Sequence, residues 1–258
     1  MACLKNKIVW LTGASSGIGE ALARELVKRG AKVAISARRE ALLSSLCQES
    51  DSRNGIISAF PVDVTDLSSL KQTCSEIETS LGPIDILIAN AGTHVFTVPE
   101  DFNSNEYMSL MNLNFGGTLN TIEAVLPRMI ERKAGHVVGV ASLAGFRGLP
   151  RAAAYGASKA ALIHFLESLR FHMRRKGIKV TIVNPGFVKT PLTDRNDFHM
   201  PFLISADKAA ITICNGIESD RDEISFPFLF ASALKLMRIL PFRIYDFIVD
   251  QFVWPKAQ

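Results

Sequence analysis

Apolar positions in this chain form short solid blocks that alternate with longer stretches of helical period. Ile8–Thr12, Lys32–Ser36, Ile56–Pro61, Ile84–Ala89, His136–Ala141 and Lys179–Asn184 are the blocks, rich in Val and Ile. None alternates apolar with polar, so the sheet they predict is covered on both faces. Between them, Gly17–Arg29, Glu40–Cys47, Leu67–Leu81, Ser104–Arg132 and Tyr155–Lys176 repeat apolar residues three and four apart and read as helices. Pro127 predicts a break in the long fourth helix. A β-α-β-α order of this kind predicts a parallel sheet with right-handed crossovers, an α/β fold.

Past Pro185 the pattern changes. Phe187–Ile204 holds Pro191 and Pro201 among scattered polar residues and reads as a long flexible connection. Ser205–Ile217 has a helical period, with Ser205 as N-cap and Asp207 in the first turn. Glu223–Phe226 reads as a last strand. Ala231–Phe252 reads as one or two amphipathic helices divided at Pro241.

Composition narrows the class. With 258 residues, 48% hydrophobic and 21% charged, the chain can bury a full core as a single domain, expected to span 1–258. The net charge of +4 is scattered and no basic run resembles a nucleic-acid arm, so no nucleic-acid partner is expected. Cys3, Cys47, Cys74 and Cys214 lie far apart, with neither CxxC nor metal-ligand spacing, and read as reduced thiols with no metal. The first strand begins at residue 8, which leaves no room for a signal peptide, and no apolar stretch is long enough to span a bilayer. A cytoplasmic location is the expectation.

The first strand runs into Thr12-Gly13-Ala14-Ser15-Ser16-Gly17-Ile18-Gly19 and then into a helix. Glycines here permit a tight turn, a close approach of backbone to a pyrophosphate, and packing of helix on strand. The phosphate then sits where free N–H groups and the positive helix end converge. The same stretch matches a nucleophile elbow at Ser15, but it follows the first strand and no Asp–His pair succeeds it in order. Ser68-Ser69-Leu70-Lys71 matches SxxK, yet reads better as a helix start.

Tyr155 and Lys159 stand four apart in a helical segment, one turn apart on one face. A free phenol titrates at about 10, and bringing it near neutrality takes roughly 4 kcal/mol of differential interaction. A nearby ammonium works in that direction. Ser142, thirteen residues before Tyr155, falls in the loop after the fifth strand. Parallel-sheet sites form at such carboxyl ends, where a hydroxyl can hold developing charge on a carbonyl oxygen.

The spacing TGxxxGxG, with Asn90-Ala91-Gly92, Asn114, Ser142, Tyr155-Gly156-Ala157-Ser158-Lys159 and Pro185-Gly186 followed by Thr190, resembles the short-chain dehydrogenase/reductase family over residues 5 to about 190. The resemblance implies a Rossmann-like doubly wound sheet of about seven strands in the order 3-2-1-4-5-6-7. It implies a nicotinamide cofactor held by Thr12, Gly13, Ser15, Ser16, Gly17, Ile18, Gly19, Asp63, Val64, Asn90, Ala91, Gly92, Tyr155, Lys159, Pro185, Gly186, Val188 and Thr190. The catalytic set it implies is Asn114, Ser142, Tyr155 and Lys159. Asn114, chosen over Asn112, would position a water that hands protons to Lys159. Where NAD enzymes of this pattern place an acid to hold the ribose, Ala37 stands, followed by Arg38 and Arg39. Guanidinium can bind a 2′-phosphate that an acid would repel, and Arg38 is the expected ligand, with Arg39 assisting. NADP(H) is therefore the preferred cofactor, NAD(H) the second.

The expected function is NADPH-dependent interconversion of a ketone or aldehyde with an alcohol, as a carbonyl reductase for an apolar substrate. The alternative is a catalytically silent NADP(H)-binding regulator of the same fold. The ending departs from the family pattern: residues 223–258 contain no glycine, which argues against the common tetramer and leaves a homodimer through the long helices as the expected assembly. The apolar, cation-studded tail from Phe226 to Ile248 has three readings: core, a peripheral membrane contact, or a substrate-pocket cover together with a lid at 187–204.

Overall fold

The computed structural model describes residues 3–49, 55–95, 100 and 102–253, the side chains of Phe252 and Val253 excepted. The end of the expected C-terminal extension, 254–258, lies outside the described residues.

Among the described residues nine strands form: β1 (Ile8–Thr12), β2 (Lys32–Ser36), β3 (Ile56–Ala59), β4 (Ile86–Ala89), β5 (Gly135–Val140), β6 (Ile178–Pro185), the two-residue β7 (Val188–Lys189) and β8 (Ile204–Ser205), and β9 (Glu223–Phe226). Seven make one parallel sheet in the order β3-β2-β1-β4-β5-β6-β9. This is the expected doubly wound order; its seventh strand is β9 because the small β7–β8 pair intervenes in the chain. The helices are α1 (Gly17–Lys28), α2 (Glu40–Glu49), α3 (Leu67–Leu81), α4 (Ser104–Met111), α5 (Gly117–Arg132), α6 (Ala153–Arg174), α7 (Ala206–Glu218), α8 (Phe228–Arg238) and α9 (Phe242–Ile248).

The solid apolar blocks have a direct cause. All five residues of β1 are buried. Val9 and Leu11 point into one core with Leu22 and Leu26 of α1 and Ile213 of α7. Ile8 and Trp10 point into the other, with Leu70 and Ile77 of α3, Val125 of α5 and Leu162 of α6. Two covered faces leave no place for alternation.

Three local expectations are corrected. The long fourth helix is interrupted not at Pro127 but at a wider turn, Asn112–Gly116, closed by Gly117 N–H donating to the Asn112 carbonyl. Pro127 sits inside an unbroken α5. Pro127 and Glu123, whose carbonyl loses its donor, are both exposed, so water can take the place of the missing N–H. Residues 187–204 are not a featureless connection. Val188 pairs with Ile204, a tight turn forms at Thr193–Arg195, and the Thr193 hydroxyl donates to the Val188 carbonyl at 2.7 Å. The tail is neither all core nor all surface: Ala231, Leu234, Tyr245 and Val249 are buried while Phe228, Leu236, Ile239, Phe242 and Phe247 are exposed.

One buried group at the far end of the sheet from the carboxyl edge carries a pH signature. His136 of β5 is 7% exposed, and burial, helped by the Lys179 ammonium, pulls it down to about 4. The Thr181 hydroxyl donates to the Arg221 carbonyl at 2.7 Å, so His136 Nε2, 2.8 Å from that hydroxyl, is the donor of a neutral imidazole. A folded-state value below the free one adds stability that is complete above pH 6.5 and lost as pH falls through 4. We expect about 3 kcal/mol of unfolding free energy to disappear between pH 7 and 4 on this account. Denaturant unfolding of the wild type and His136→Gln checks it: the variant should show the shallower pH slope, and equal slopes would remove His136 as the cause.

Candidate active site

The carboxyl ends of the strands open into a cleft of about 490 Å³. At its floor the chain leaves β1 through Gly13 and Gly17, both at positive φ (+68° and +61°), which side chains rarely adopt. Gly19 is required for space: a Cβ there would lie 2.1 Å from the Gly13 carbonyl oxygen. Ser16 stands at the α1 N-cap, yet its side chain makes no capping bond. The leading N–H groups of α1 are therefore left to an anion in the cleft. A backbone cradle that any Cβ would fill and an uncapped helix start fit a pyrophosphate.

Asn90 braces this turn from β4. Its amide donates to the Thr12 carbonyl at 3.0 Å and the Gly13 carbonyl at 3.2 Å, while the Thr12 hydroxyl accepts from Asn90 and Ala91 N–H. Thr12, 1% exposed, lies behind the turn and does not line the cleft. Ser15, Ser16, Gly17, Ile18, Gly19, Asn90, Ala91 and Gly92 do. On the opposite side Pro185, Gly186, Val188 and Thr190 close it, with Thr190 against Gly17.

At the end of β2 the two arginines part company. Arg38 is 70% exposed and reaches only to 3.9 Å from Asp63. Arg39 folds back over the glycine turn, its Nη2 donating to both Ser15 Oγ and Ser16 Oγ at 2.8 Å. The Arg39 guanidinium is thus the cation placed at the turn. Asp63 accepts from the Thr65 N–H and hydroxyl at 2.9 Å, and Val64, buried, packs against Gly117.

The deep end of the cleft gathers the remaining groups. Ser142 follows β5 and caps the tight turn Leu143–Gly145, accepting from Ala144 N–H at 3.1 Å. Its hydroxyl donates to the Pro185 carbonyl at 3.4 Å and faces the same cleft as Tyr155. One turn further along α6, Lys159 is 4% exposed, donates to the Val140 carbonyl at 2.9 Å, and lies 5.8 Å from the Tyr155 ring centre. Burial pulls the Lys159 ammonium down to about 8. Burial pushes the Tyr155 phenol above its ordinary value, and the Ser142 hydroxyl draws it partly back. The expected depression of the phenol by Lys159 does not occur; desolvation is the largest influence on both groups.

Asn114, fully buried in the wide turn, accepts from Thr93 N–H at 2.8 Å and donates to the Thr93 carbonyl at 2.9 Å and Ser158 Oγ at 3.0 Å. Both amide hydrogens are used in fastening the 90–93 loop to α6. Asn112, two residues away, is exposed. Thr93, Leu113, Leu192, Thr193 and Arg195 line the cleft without having been singled out from sequence, and two neighbours outside its lining were not singled out either. His94 meets the Tyr155 ring edge-on at 4.8 Å, and burial lowers its imidazole, leaving it neutral at pH 7. Arg147 clasps the carbonyls of Met237 and Leu240 at 2.5 and 2.7 Å and stacks on Tyr245 at 3.8 Å, tying the loop between Ser142 and Tyr155 to the α8–α9 corner. His94 could have been noticed two positions past Gly92; Arg147 had no local signal.

A family model described as short chain dehydrogenase matches residues 7–199. A protein of Myxococcus xanthus named an uncharacterized oxidoreductase is 39% identical over 246 residues, covering 95% of this chain and 97% of its own. A similarly named Staphylococcus epidermidis protein is 36% identical over 198 residues, 77% of this chain and 85% of its own. Among solved structures, a short-chain dehydrogenase from Streptomyces avermitilis superposes with a TM-score of 0.79 at 25% identity, covering 98% and 100% of the two chains. An actinorhodin polyketide ketoreductase with NADPH gives 0.78 at 25%, covering 88% and 97%. A Burkholderia phymatum short chain dehydrogenase/reductase in complex with NAD gives 0.83 at 21%, covering 92% and 94%, a likeness of fold. The chain belongs to the short-chain dehydrogenase family and is an NAD(P)-dependent oxidoreductase.

Proposed function

We propose that the chain is an NADPH-preferring carbonyl reductase that converts an apolar ketone or aldehyde into its alcohol. The observation that carries this reading is the convergence of Ser142, Tyr155 and the buried Lys159 on one cleft. The glycine turn, Arg39, Asp63 and the Pro185–Thr190 segment would hold the dinucleotide, whose reduced nicotinamide supplies a hydride when bound. Tyr155, kept protonated by burial, gives its proton to the carbonyl oxygen. Ser142 donates a hydrogen bond to the same oxygen, where charge develops. Lys159, at about 8, can return a proton to the phenolate. A water that hands protons to Lys159 would donate to the Asn114 oxygen, since both amide N–H groups are engaged. Alcohol oxidation uses the same groups in reverse.

The preference for NADPH rests on Ala37 in place of an acid and on the position of Arg39. Leu113, Pro191 and Leu192 on the cleft wall support an apolar substrate. The test is a panel of ketones and aldehydes with NADPH, followed by loss of reduced-cofactor absorbance. Turnover is expected; tight NADPH binding with no turnover of any carbonyl would favour the silent regulator instead. Charge-assisted bonds of about 1.5–3 kcal/mol predict that Arg39→Ala raises the KM for NADPH roughly 10–100-fold. The KM for NADH should move less than about twofold in the same variant, since NADH lacks the phosphate. Equal losses for both cofactors would take the 2′-phosphate away from Arg39.

A further inference from the structure

The α8–α9 pair is apolar on two sides. Its inner side is buried through Ala231, Leu234 and Tyr245. On its outer side Leu229, Leu236 and Ile239 follow helical spacing and are 70%, 61% and 77% exposed, and Phe242 continues the face at 77%. Large exposed apolar patches mark interaction surfaces. Between Lys235 and Arg243 the chain carries three cations and no carboxylate. Lys235 is paired with Glu223. Among the described residues Arg238 and Arg243 have no ion pair, and the next acids, Asp246 of α9 and Asp250 beyond it, come after the corner.

The face is also rigidly presented. Arg147 caps the last carbonyls of α8 and holds the corner against the Ser142–Tyr155 loop. The start of α8 adjoins the cleft: Pro227 and Phe230 abut Gly186, and Phe202, 56% exposed, stacks on Phe230. No helix of the described residues is long and apolar enough to cross a membrane.

We propose that the outer face of α8–α9 seats this protein on an anionic lipid surface. The apolar side chains enter the boundary between headgroups and acyl chains, and Arg238 and Arg243 meet lipid phosphates and carboxylates. A second copy fits less well. Across a two-fold axis the cationic corner would face itself, whereas anionic headgroups neutralise it.

Co-sedimentation of the full chain with vesicles of phosphatidylcholine, alone or mixed with phosphatidylserine, tests this. The wild type is expected to pellet with the mixed vesicles and to be released by high salt. Leu236→Glu/Ile239→Glu should lower the partition coefficient at least about tenfold. Arg238→Gln/Arg243→Gln should lower it about tenfold on the mixed vesicles only. An unchanged melting temperature and NADPH affinity show that the variants are folded. Absence of pelleting with either vesicle, or equal pelleting of the wild type and both variants, would overturn the proposal. So would a dimer in sedimentation velocity that Leu236→Glu/Ile239→Glu dissolves, without vesicle binding.

Discussion

Tyr155→Phe is expected to lower kcat on any carbonyl substrate about a hundred- to ten-thousandfold, the usual worth of a positioned general acid. Its Kd for NADPH should move less than about twofold, because the ring stays and only the hydroxyl leaves. The substitution removes the phenolic proton donor that faces the cleft together with Ser142 and Lys159. It also removes a group that burial holds in its neutral, donating form. The ring keeps its edge-on contact with His94, so the pocket should hold its shape. Separate measurement of kcat and of cofactor affinity by fluorescence titration decides the point. Wild-type turnover in the variant would show that the proton comes from elsewhere, with neutral His94 the next group to examine.

Gly19→Ala is expected to damage both binding and folding, although it adds a single methyl group. That methyl would stand 2.1 Å from the Gly13 carbonyl oxygen and 2.7 Å from Asn90 Nδ2. Two of its neighbours are backbone atoms of a turn already held by Asn90 and Thr12, so nothing flexible can yield. Overpacking of this kind costs about 1–3 kcal/mol, which in a chain of this size lowers Tm by roughly 2–10 °C. Cofactor affinity should fall further than stability, because the displaced turn is the one that presents the first N–H groups of α1. Gly148→Ala is the matched control: a Cβ there meets nothing within 4 Å, and Tm and affinity should stay put. If both variants behave alike, close packing at the turn is not what Gly19 serves.

Much of the architecture was legible before any coordinates. The extents of β1, β2, α3 and β9 match the expected ones residue for residue; β1 and β2 were plain because strands buried on both faces write themselves as nearly uninterrupted apolar runs. The Ser205 cap was equally plain: its hydroxyl accepts from Lys208 N–H at 3.2 Å, a bond made three residues away. Local chemistry of this range is carried by neighbours in the chain. Pro127 shows where such reading fails. Its propensity to break a helix was overruled because the lost hydrogen bond faces solvent, and the interruption went instead to Asn112–Gly116, where the chain aims Asn114 at Thr93 and Ser158.

By itself the sequence determined the parallel α/β class, the glycine turn and the spacing that sets Tyr155 and Lys159 on one face of α6, while the strand order came with the family resemblance. The first three depend on residues within a few positions of one another or on the rules of parallel sheets. Only the tertiary structure decided that Arg39 rather than Arg38 lies on the turn, that Arg147 caps a helix ending ninety residues later, and that desolvation governs the protons of Tyr155 and Lys159. Those outcomes are set by distances between distant segments and by the exclusion of water, and neither quantity is written in local order.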